Sequence, residues 1–343
     1  MQVVRATDSR AARGGIEHLG ASGPAALPRI GAVREFGRIV TRSPVMHEMI
    51  DVLDRFAKTD ITVTLLGETG VGKDILAHAM HERSTRAHGP FVVFDCAAVA
   101  ANLAESELLG HERGAFTGAL SAHAGAFERA HAGTLFLDEI AELPLDLQPR
   151  LLRGLESRRV RRVGGRVDRR VDVRVIAATN RDLKSEVIAG RFRGDLYFRL
   201  AVAVVQVPSL RRRLEDLPQL VQDLLSDLGH PNMRVSEAAF ALLRAHGWTG
   251  NIRELKNALS CAAAFVEPRA DIIEPNHLKL IRAAERDRSW LDGLPLAGHA
   301  LDLIERAAIR QTLEQTRGNR KHAAQVLGIA VSTLYEKVKK YGL

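Results

Sequence analysis

The sequence has little of what marks a secreted or membrane-embedded protein. Its 343 residues include two cysteines, Cys96 and Cys261, which lie far apart in apolar surroundings. Such a pair is typical of buried thiols in a reducing compartment and not of a disulfide framework. The apolar stretch at residues 258–266 is far shorter than the roughly 20 residues of a membrane-spanning helix, and the N-terminal residues carry charges without an apolar core. We therefore expect a cytoplasmic protein with no signal peptide and no membrane partner.

Net charge is weakly informative on its own. The formal charge of +8 comes mainly from arginine and is spread along the chain. It permits an anionic partner and fits a solubilising surface equally well. Residues 299–343 stand out because they contain eight Lys or Arg residues and four Asp or Glu residues. Half of the formal charge therefore lies in this C-terminal segment.

Strand and helix patterns alternate from about residue 61 to residue 208. Short apolar runs predict strands at residues 61–66, 91–95, 134–137, 171–177 and 202–207. Amphipathic segments lie between them, so the alternation predicts an α/β fold with a parallel sheet covered on both faces. After Pro208 the strand patterns end, and helical patterns at residues 217–228, 236–246 and 251–265 predict a small all-helical subdomain.

These patterns divide the chain into five parts. We expect a disordered N-terminal tail at residues 1–36, which is too short for a folded sensor domain. An α/β domain is expected at 37–208 and the helical subdomain at 209–281. A linker that mixes charges with Gly and Pro is expected at 282–298, and a basic helical domain at 299–343.

A glycine-rich loop directly follows the first of these predicted strands. The segment Gly67-Glu68-Thr69-Gly70-Val71-Gly72-Lys73 matches the G-x-x-x-x-G-K core of a phosphate-binding loop and opens a predicted helix. Glycines allow backbone N–H groups to surround phosphate oxygens, and the lysine would reach the β and γ phosphates. Asp74 stands where a hydroxyl residue usually binds Mg²⁺, so the ion would be held there through water.

Two carboxylates follow the third predicted strand. Asp138 would hold Mg²⁺, and Glu139 would polarise the attacking water. The alternative is a glycine-rich turn next to an unrelated acidic strand end. Both motifs follow strands, however, at the spacing of one nucleotide site. The sequence therefore predicts an ATPase with ATP and Mg²⁺ as cofactors.

A segment of small residues surrounds one aromatic side chain between these motifs. It reads Gly114-Ala115-Phe116-Thr117-Gly118-Ala119, and its composition fits both an ordinary surface loop and an exposed anchor on a mobile loop. The hexapeptide resembles the GAFTGA signature of the bacterial enhancer-binding proteins, which are AAA+ activators of RNA polymerase carrying the sigma-54 factor. The resemblance covers roughly residues 37–343. It implies that this hexapeptide contacts sigma-54, chiefly through Phe116 and Thr117, and that ATP hydrolysis remodels the closed promoter complex. It also implies an AAA+ nucleotide-binding core with a helical lid subdomain.

Two further segments resemble the family's nucleotide sensors. Residues 175–180 resemble the sensor I strand, in which Asn180 would read the γ-phosphate. Residues 248–255 resemble the sensor II segment WPGNxREL, with Arg253 as the sensor arginine. Thr249 replaces the usual proline, which would loosen the turn without removing the arginine.

Residues 192–200 resemble the family's FRxDLxxRL segment. There Arg193 and Arg199 would be arginine fingers that reach the ATP of a neighbouring subunit, because a guanidinium fork suits developing phosphoryl charge. From the residues alone, surface arginines paired with Asp195 are the alternative.

Two carboxylates near the nucleotide can be compared with the family pattern. Asp74 stands where the family usually has Glu, so the missing hydroxyl is expected. Asp95 ends the second predicted strand, where an Asn commonly holds the catalytic Glu in check, and is a catalytic residue by this resemblance. An Asp beside Glu139 would place two carboxylates together and could raise the pKa of one.

The C-terminal residues predict an all-α helix-turn-helix. Helical patterns at residues 319–327 and 331–341 flank Gly328-Ile329-Ala330, and the second helix would enter the major groove. The residues expected at DNA are Asn319, Arg320, Lys321, Ser332, Thr333, Tyr335 and Lys337. A basic helical hairpin that packs on the ATPase is the alternative.

The same segment closely resembles the Fis-type domain of the family. Ala330-Val331 replaces the usual Ser-Arg, which removes a phosphate contact and a helix N-cap worth about 1 kcal/mol. Leu301, Ile304 and Ala308 share one face of the preceding predicted helix and would suit a two-fold dimer contact.

These features predict an ATP-hydrolysing transcriptional activator. It would bind double-stranded enhancer DNA and convert closed complexes of sigma-54 RNA polymerase into open complexes, as a hexameric ring with dimeric DNA-binding domains by family analogy. One alternative is another AAA+ remodeller, against which the hexapeptide and the DNA-binding helices argue. The other is a DNA-binding regulator whose ATPase domain is only a scaffold, against which the intact Lys73, Asp138 and Glu139 argue. With no sensor domain expected, control by expression level, a separate inhibitor or a partner subunit stays open.

Overall fold

The computed structural model describes residues 33–267, 270–278, 301–316 and 318–342. The chain divides into two compact units between residues 279 and 280, and each is described by itself. The expected tail up to residue 32 and the expected linker at 282–298 lie outside the described residues. Within the described part of the chain, no helix is both long and apolar enough to cross a membrane.

The first unit alternates strands and helices up to residue 206 and is mainly helical afterwards. Its strands are β1 Arg34–Phe36, β2 Ile39–Thr41, β3 Val63–Leu66, β4 Phe91–Asp95, β5 Gly110–His111, β6 His123–Ala124, β7 Thr134–Asp138, β8 Arg159–Arg161, β9 Asp168–Arg170, β10 Arg174–Thr179, β11 Ala203–Gln206, β12 Arg234–Val235 and β13 Ile272–Ile273. Its helices are α1 Pro44–Ala57, α2 Lys73–Glu82, α3 Ala101–Leu109, α4 Ala126–Arg129, α5 Gln148–Ser157, α6 Leu183–Ile188, α7 Gly194–Leu200, α8 Leu217–Asp227, α9 Glu237–Ala245 and α10 Asn251–Phe265.

Five strands form the central sheet, in the order β11-β3-β10-β7-β4. Every neighbouring pair is parallel, which confirms the predicted α/β architecture. Strands of such a sheet are buried on both faces and therefore read as continuous apolar runs. All six residues of β10 are buried accordingly. One apolar cluster, which includes Phe127 and Leu196, covers one part of the core, and a second, which includes Leu53 and Met80, covers another.

Strand β10 begins three residues later than the apolar pattern predicts. The backbone N–H of Val171 donates to the carbonyl of Arg158 at 2.9 Å, so this valine extends the antiparallel β8–β9 hairpin. The central strand starts only at Arg174, whose N–H bonds to the carbonyl of Gly133 at 3.0 Å. Alternation of apolar residues alone does not show where one pairing ends and the next begins.

Two residues differ in environment from the sequence expectation. Phe36 falls within the expected tail, yet it ends β1, which pairs with β2, and its side chain is fully buried. Gly37 allows the tight connection with a φ of 58°. Cys96 is buried as expected, whereas Cys261 is half-buried and does not belong to the buried face of α10.

The second unit contains three described helices: α11 Leu301–Gln315, α12 Arg320–Val326 and α13 Val331–Tyr341. A small core of Ile309, Ala323, Ala324, Leu334 and Val338 joins them, which confirms the predicted helix-turn-helix. The side chains of Leu301 and Ile304, expected at a dimer contact, lie outside the described residues.

Candidate functional site

The phosphate loop connects β3 to α2 at the carboxyl edge of the sheet. Gly70 and Gly72 have φ angles of 79° and 92°, a backbone region that favours glycine. Lys73 opens α2, and its Nζ donates to the carbonyl of Gly67 at 3.0 Å. The same Nζ lies 3.6 Å from Oε1 of Glu139. The structure thus joins the two motifs that the sequence predicts to form one nucleotide site.

Glu139 follows β7 in a strained backbone conformation. Its φ of 46° and ψ of 51° lie in the left-handed region, which costs an ordinary residue of order 1 kcal/mol. Oε2 of Glu139 accepts the backbone N–H of Asn180 at 3.3 Å. The side-chain amide of Asn180 donates to Oγ1 of Thr69 in the phosphate loop at 2.9 Å. The expected water-activating carboxylate, the sensor asparagine and the phosphate loop are therefore in direct contact.

Asp138 and Asp95 occupy opposite positions on neighbouring strands. Burial raises the pKa of Asp138, and the negative charges of Glu139 and Asp95 add to this effect, while Lys73 opposes it. Asp95 accepts the backbone N–H of Ala97 at 2.9 Å. Asp95 was expected beside Glu139, but it lies opposite Asp138. The strand register, which the sequence does not reveal, determines this pairing.

The carboxylates beside α2 fit a divalent cation. Asp74 and Asp138 both line an open cleft of about 400 Å³, and hard cations such as Mg²⁺ prefer oxygen ligands. Burial is the main cause of the raised pKa of Asp138, and a cation bound beside this carboxyl would favour its charged form.

The lid of the first unit contacts the phosphate loop through residues that the sequence reasoning missed. Arg211 donates to both carboxylate oxygens of Glu68, one bond measuring 2.8 Å. The side-chain amide of Asn251 reaches Oε2 of Glu68 at 3.0 Å and the carbonyl of Thr69 at 3.1 Å. These bonds, first that of Arg211, lower the pKa of Glu68. Asn251 lies within the segment that resembles sensor II, so the sequence contained a signal for it. No sequence pattern marked Arg211.

The backbone and Cβ of Arg253, the expected sensor arginine, lie next to the phosphate loop. The backbone N–H of Ile252 donates to the carbonyl of Gly70 at 2.9 Å. A methyl group placed on Gly70 would lie 3.0 Å from Cβ of Arg253. The turn that carries Thr249 is held on both sides, by Trp248 Nε1 donating to the carbonyl of Leu243 at 2.8 Å and by the N–H of Gly250 donating to Glu254 at 2.8 Å.

A buried arginine also supports the loop from behind. Arg213 is 3% exposed, and its Nη2 donates to the carbonyl of Val71 at 2.8 Å. Burial lowers the pKa of this guanidinium. The sequence reasoning missed it because it lies within the run Arg211-Arg212-Arg213, which resembles a solvated charge cluster.

The two expected arginine fingers are exposed and bond within their own neighbourhood. Arg193 forms a forked ion pair with Asp195, with a shortest distance of 2.8 Å, and lowers the pKa of that carboxyl. Arg199 donates to the carbonyl of Leu155 at 3.0 Å. Within one chain, the described bonds of both arginines go to α5 and α7 and not to the phosphate loop.

The hexapeptide 114–119 lies in the connection of the β5–β6 hairpin. Gly114 and Gly118 have φ angles of 79° and 101°, and a methyl group on either would meet no atom within 4 Å. Phe116 is 40% exposed, with its ring edge-on to His111 at a centroid distance of 5.0 Å. Leu120 is 87% exposed and was not singled out from the sequence. The β5–β6 connection therefore offers two apolar side chains, Phe116 and Leu120, at an open tip.

The helix-turn-helix side chains divide into structural and exposed groups. Asn319 accepts the backbone N–H of His322 at 3.1 Å and so caps α12, and Lys337 pairs with Glu305. Arg320 stacks over Tyr335 at 4.9 Å. Lys321 and Ser332 are exposed and Thr333 is half-buried. Ala330 precedes α13 without a side-chain cap.

The fold and this site define the class of protein. A phosphate loop after β3, an acidic pair at the end of β7 and a helical lid beside them form an AAA+ ATPase that binds nucleotide. Family models agree, with the sigma-54 interaction domain matching residues 39–206, the AAA+ ATPase lid domain residues 211–289, and the bacterial regulatory protein, Fis family, residues 300–341. The chain belongs to the sigma-54-dependent transcriptional activators, which couple ATP hydrolysis to transcription.

Individual relatives support the same family. The chain is 41% identical to the DNA-binding transcriptional regulator NtrC of Azospirillum brasilense, over 92% of this chain and 72% of that protein. It is 42% identical to the Nif-specific regulatory protein of Enterobacter agglomerans, over 89% of this chain and 61% of that protein. The crystal structure of NtrX from Brucella abortus in complex with ATP matches with a TM-score of 0.66 and 32% identity, over 90% and 70% of the two chains. The chain thus spans between 61% and 72% of the relatives' length.

Proposed function

We propose that this chain uses ATP hydrolysis to move the loop at residues 114–119 against sigma-54 RNA polymerase and thereby opens promoter DNA. The observation that carries the proposal is the open tip of the β5–β6 hairpin. Phe116 and Leu120 are exposed there, and a methyl group on Gly114 or Gly118 would meet no atom within 4 Å. Exposed aromatic residues on such a tip are typical anchors for a protein partner.

Each contact in the nucleotide site supports one part of the cycle. The loop amides and Lys73 would bind the phosphates, and Asp138 would hold Mg²⁺. Glu139 would orient the attacking water while Asn180 reports the γ-phosphate to it, since the two are hydrogen-bonded. The lid contacts of Glu68 with Arg211 and Asn251 would transmit the nucleotide state to the lid.

The proposal includes three further features. Arg193 and Arg199 act on the ATP of a neighbouring subunit in a ring of six copies, by family analogy.

 Residues 299–343 bind double-stranded enhancer DNA, with paired helix-turn-helix units on a two-fold site. Because RNA polymerase acts on the bacterial chromosome, this activity belongs in the cytoplasm.

The test is a paired measurement on Phe116→Ala and Thr117→Ala in the full chain. Both variants should hydrolyse ATP at near wild-type rates but fail to form open complexes with sigma-54 polymerase. Loss of an aromatic anchor that becomes buried in the interface with a partner costs roughly 2 kcal/mol or more. Ile188→Ala is the matched control, since Ile188 is an apolar residue that is 88% exposed and lies in α6, outside the hairpin. It should keep both activities.

Capture of sigma-54 by the protein with ADP–aluminium fluoride completes the test. Wild type and Ile188→Ala should capture sigma-54, and Phe116→Ala should not. Open complexes formed by Phe116→Ala would show that another surface couples hydrolysis to the polymerase. If wild type never captures sigma-54, the proposed function itself is wrong.

A further inference from the structure

Three arginines act on the carboxylate of Asp168, two from β8 of the β8–β9 hairpin and one from the adjacent helix α5. Arg161 donates to Asp168 at 2.8 Å, and Arg153 lies 3.7 Å from the same carboxylate. Arg161 lowers the pKa of Asp168 through this hydrogen bond, and the charges of Arg153 and Arg159 act in the same direction. A fourth arginine, Arg170, is exposed on β9, two residues after Asp168. We call Arg153, Arg159, Arg161 and Arg170 the arginine face.

Two members of the arginine face oppose each other directly. Arg159 on β8 pairs with Arg170 on β9 in the antiparallel register, whereas the next pair on that face, Arg161 with Asp168, is of opposite sign. Like charges at directly opposite positions destabilise a hairpin. Both side chains are exposed. An anion that lies across the hairpin would relieve this repulsion.

The arginine face continues into a cleft of about 410 Å³. Arg153, Arg159 and Arg161 line this cleft together with Gly164 and Gly165. Two other lining arginines are already balanced, because Arg150 pairs with Glu105 at 2.5 Å and Arg162 with Glu128 at 2.6 Å. The excess positive charge therefore lies on the arginine face, which extends beyond the cleft along the hairpin.

The chemistry of this surface favours phosphate over a protein partner. A guanidinium fork matches two phosphate oxygens, and several forks along a ribbon suit a polymeric anion. Protein interfaces are usually anchored by apolar or aromatic side chains. Among the described residues of α5 and the hairpin, Val167 is the large apolar side chain with high exposure, at 68%.

The hairpin is fixed to the base of the loop at residues 110–124. The N–H of Glu112 donates to the carbonyl of Val163 at 3.0 Å, and Arg169 donates to the Glu112 carboxylate at 3.2 Å. A methyl group on Gly164 would lie 2.8 Å from Cβ of Ala115. A ligand on the arginine face would therefore lie close to the expected sigma-54-contacting segment.

We propose that the arginine face binds the phosphodiester backbone of DNA without regard to sequence. This surface is separate from the helix-turn-helix, and it holds DNA beside the loop that engages the polymerase. That the DNA is promoter DNA rests on the proposed function, whereas the phosphate contact itself does not.

Site-specific photocrosslinking in the full chain tests this proposal. Val167→Cys with Cys261→Ser provides one exposed thiol, because Cys96 is buried, and a photoactivatable reagent is attached to it. The probe is a fluorescein-labelled DNA duplex of shuffled sequence. We expect a crosslink to DNA, with a yield that falls about tenfold in Arg159→Gln/Arg170→Gln as two phosphate contacts are lost.

The matched control removes the same charge from another exposed place. Arg55→Gln/Lys58→Gln alters exposed residues at the end of α1 and should leave the crosslink unchanged. In fluorescence anisotropy, the slope of log affinity against log salt should become shallower by about 2 for the hairpin variant. The melting temperature of Arg159→Gln/Arg170→Gln should equal or exceed that of the unsubstituted protein. If it is lower, the variant Arg159→Lys/Arg170→Lys replaces it in the test, because it keeps the charge and should retain the crosslink.

Two outcomes overturn the inference. An unchanged crosslink in Arg159→Gln/Arg170→Gln shows that the arginine face does not hold the DNA. A crosslink from residue 167 to purified sigma-54 polymerase in place of DNA shows that the face binds protein. Binding of the unsubstituted chain to an enhancer duplex is measured separately. If that chain does not recognise the enhancer but still crosslinks to shuffled DNA from residue 167, the proposed function is contradicted and the inference about the arginine face is not.

Discussion

At the scale of single residues, the nucleotide site joins opposed charges at short range. Lys73 lies 3.6 Å from Glu139, and Asn180 bonds to Glu139 and to Thr69. In this arrangement Lys73 lies where phosphate would bind, and the carboxylate of Glu139 accepts the backbone N–H of Asn180, the expected sensor residue. We therefore expect the two residues to have separable roles, Lys73 in ATP binding and Glu139 in turnover.

Substitutions at these two residues should separate binding from turnover. Lys73→Ala should weaken ATP binding by about 1.5–3 kcal/mol, the value of a hydrogen bond to a charged group. Glu139→Gln should keep ATP affinity within a few-fold but reduce turnover by roughly 10²–10⁴, as expected for loss of a general base. Isothermal titration and phosphate release measure the two effects. Normal ATP affinity in Lys73→Ala would contradict the assignment of the phosphate loop.

At the scale of elements, helix ends and strand ends determine what each segment presents. Asn319 caps α12 through its side chain, whereas α13 starts after Ala330 without such a bond. An N-cap hydroxyl satisfies one of the free N–H groups at a helix start. The expected recognition helix α13 therefore lacks a side-chain cap at its N-terminus, the end expected to approach DNA.

Restoring the cap should stabilise the recognition helix. Ala330→Ser should add about 1 kcal/mol to the local stability of α13 and slow amide exchange in its first turn about fivefold. Hydrogen exchange measured by mass spectrometry on the full chain reports this change. Ala330→Val lacks the hydroxyl and is the control. An equal gain from valine would attribute the effect to apolar contact and not to capping.

At the scale of the whole molecule, the two expected arginine fingers bond away from the phosphate loop of their own chain. The described bonds of Arg193 and Arg199 go to Asp195 and Leu155, and both side chains are exposed. Their expected action on a neighbour's ATP therefore requires assembly. A closed ring supplies each site with arginines from the adjacent copy.

Mixing experiments test this assembly. Arg193→Ala and Glu139→Gln should each be nearly inactive alone, and an equal mixture should recover about a quarter of the wild-type rate if subunits combine at random in a ring. Arg191→Ala is the matched control, because Arg191 is an exposed arginine that pairs with Glu186. It should be active alone. Dilute protein that hydrolyses ATP as fast per chain as concentrated protein would show that the arginines act within one chain.

The sequence by itself determined the local chemistry of this protein. The phosphate loop, the acidic end of β7 and the two C-terminal helices are contiguous segments, so residue type and spacing predict their function. The hexapeptide is also contiguous, but its predicted function came from its resemblance to a known family. The tertiary structure alone decided which distant residues meet. Strand register placed Asp95 against Asp138, chain folding brought Arg211 and Asn251 to Glu68, and pairing of β1 with β2 buried Phe36. These contacts depend on packing between segments far apart in the chain, which no local pattern records.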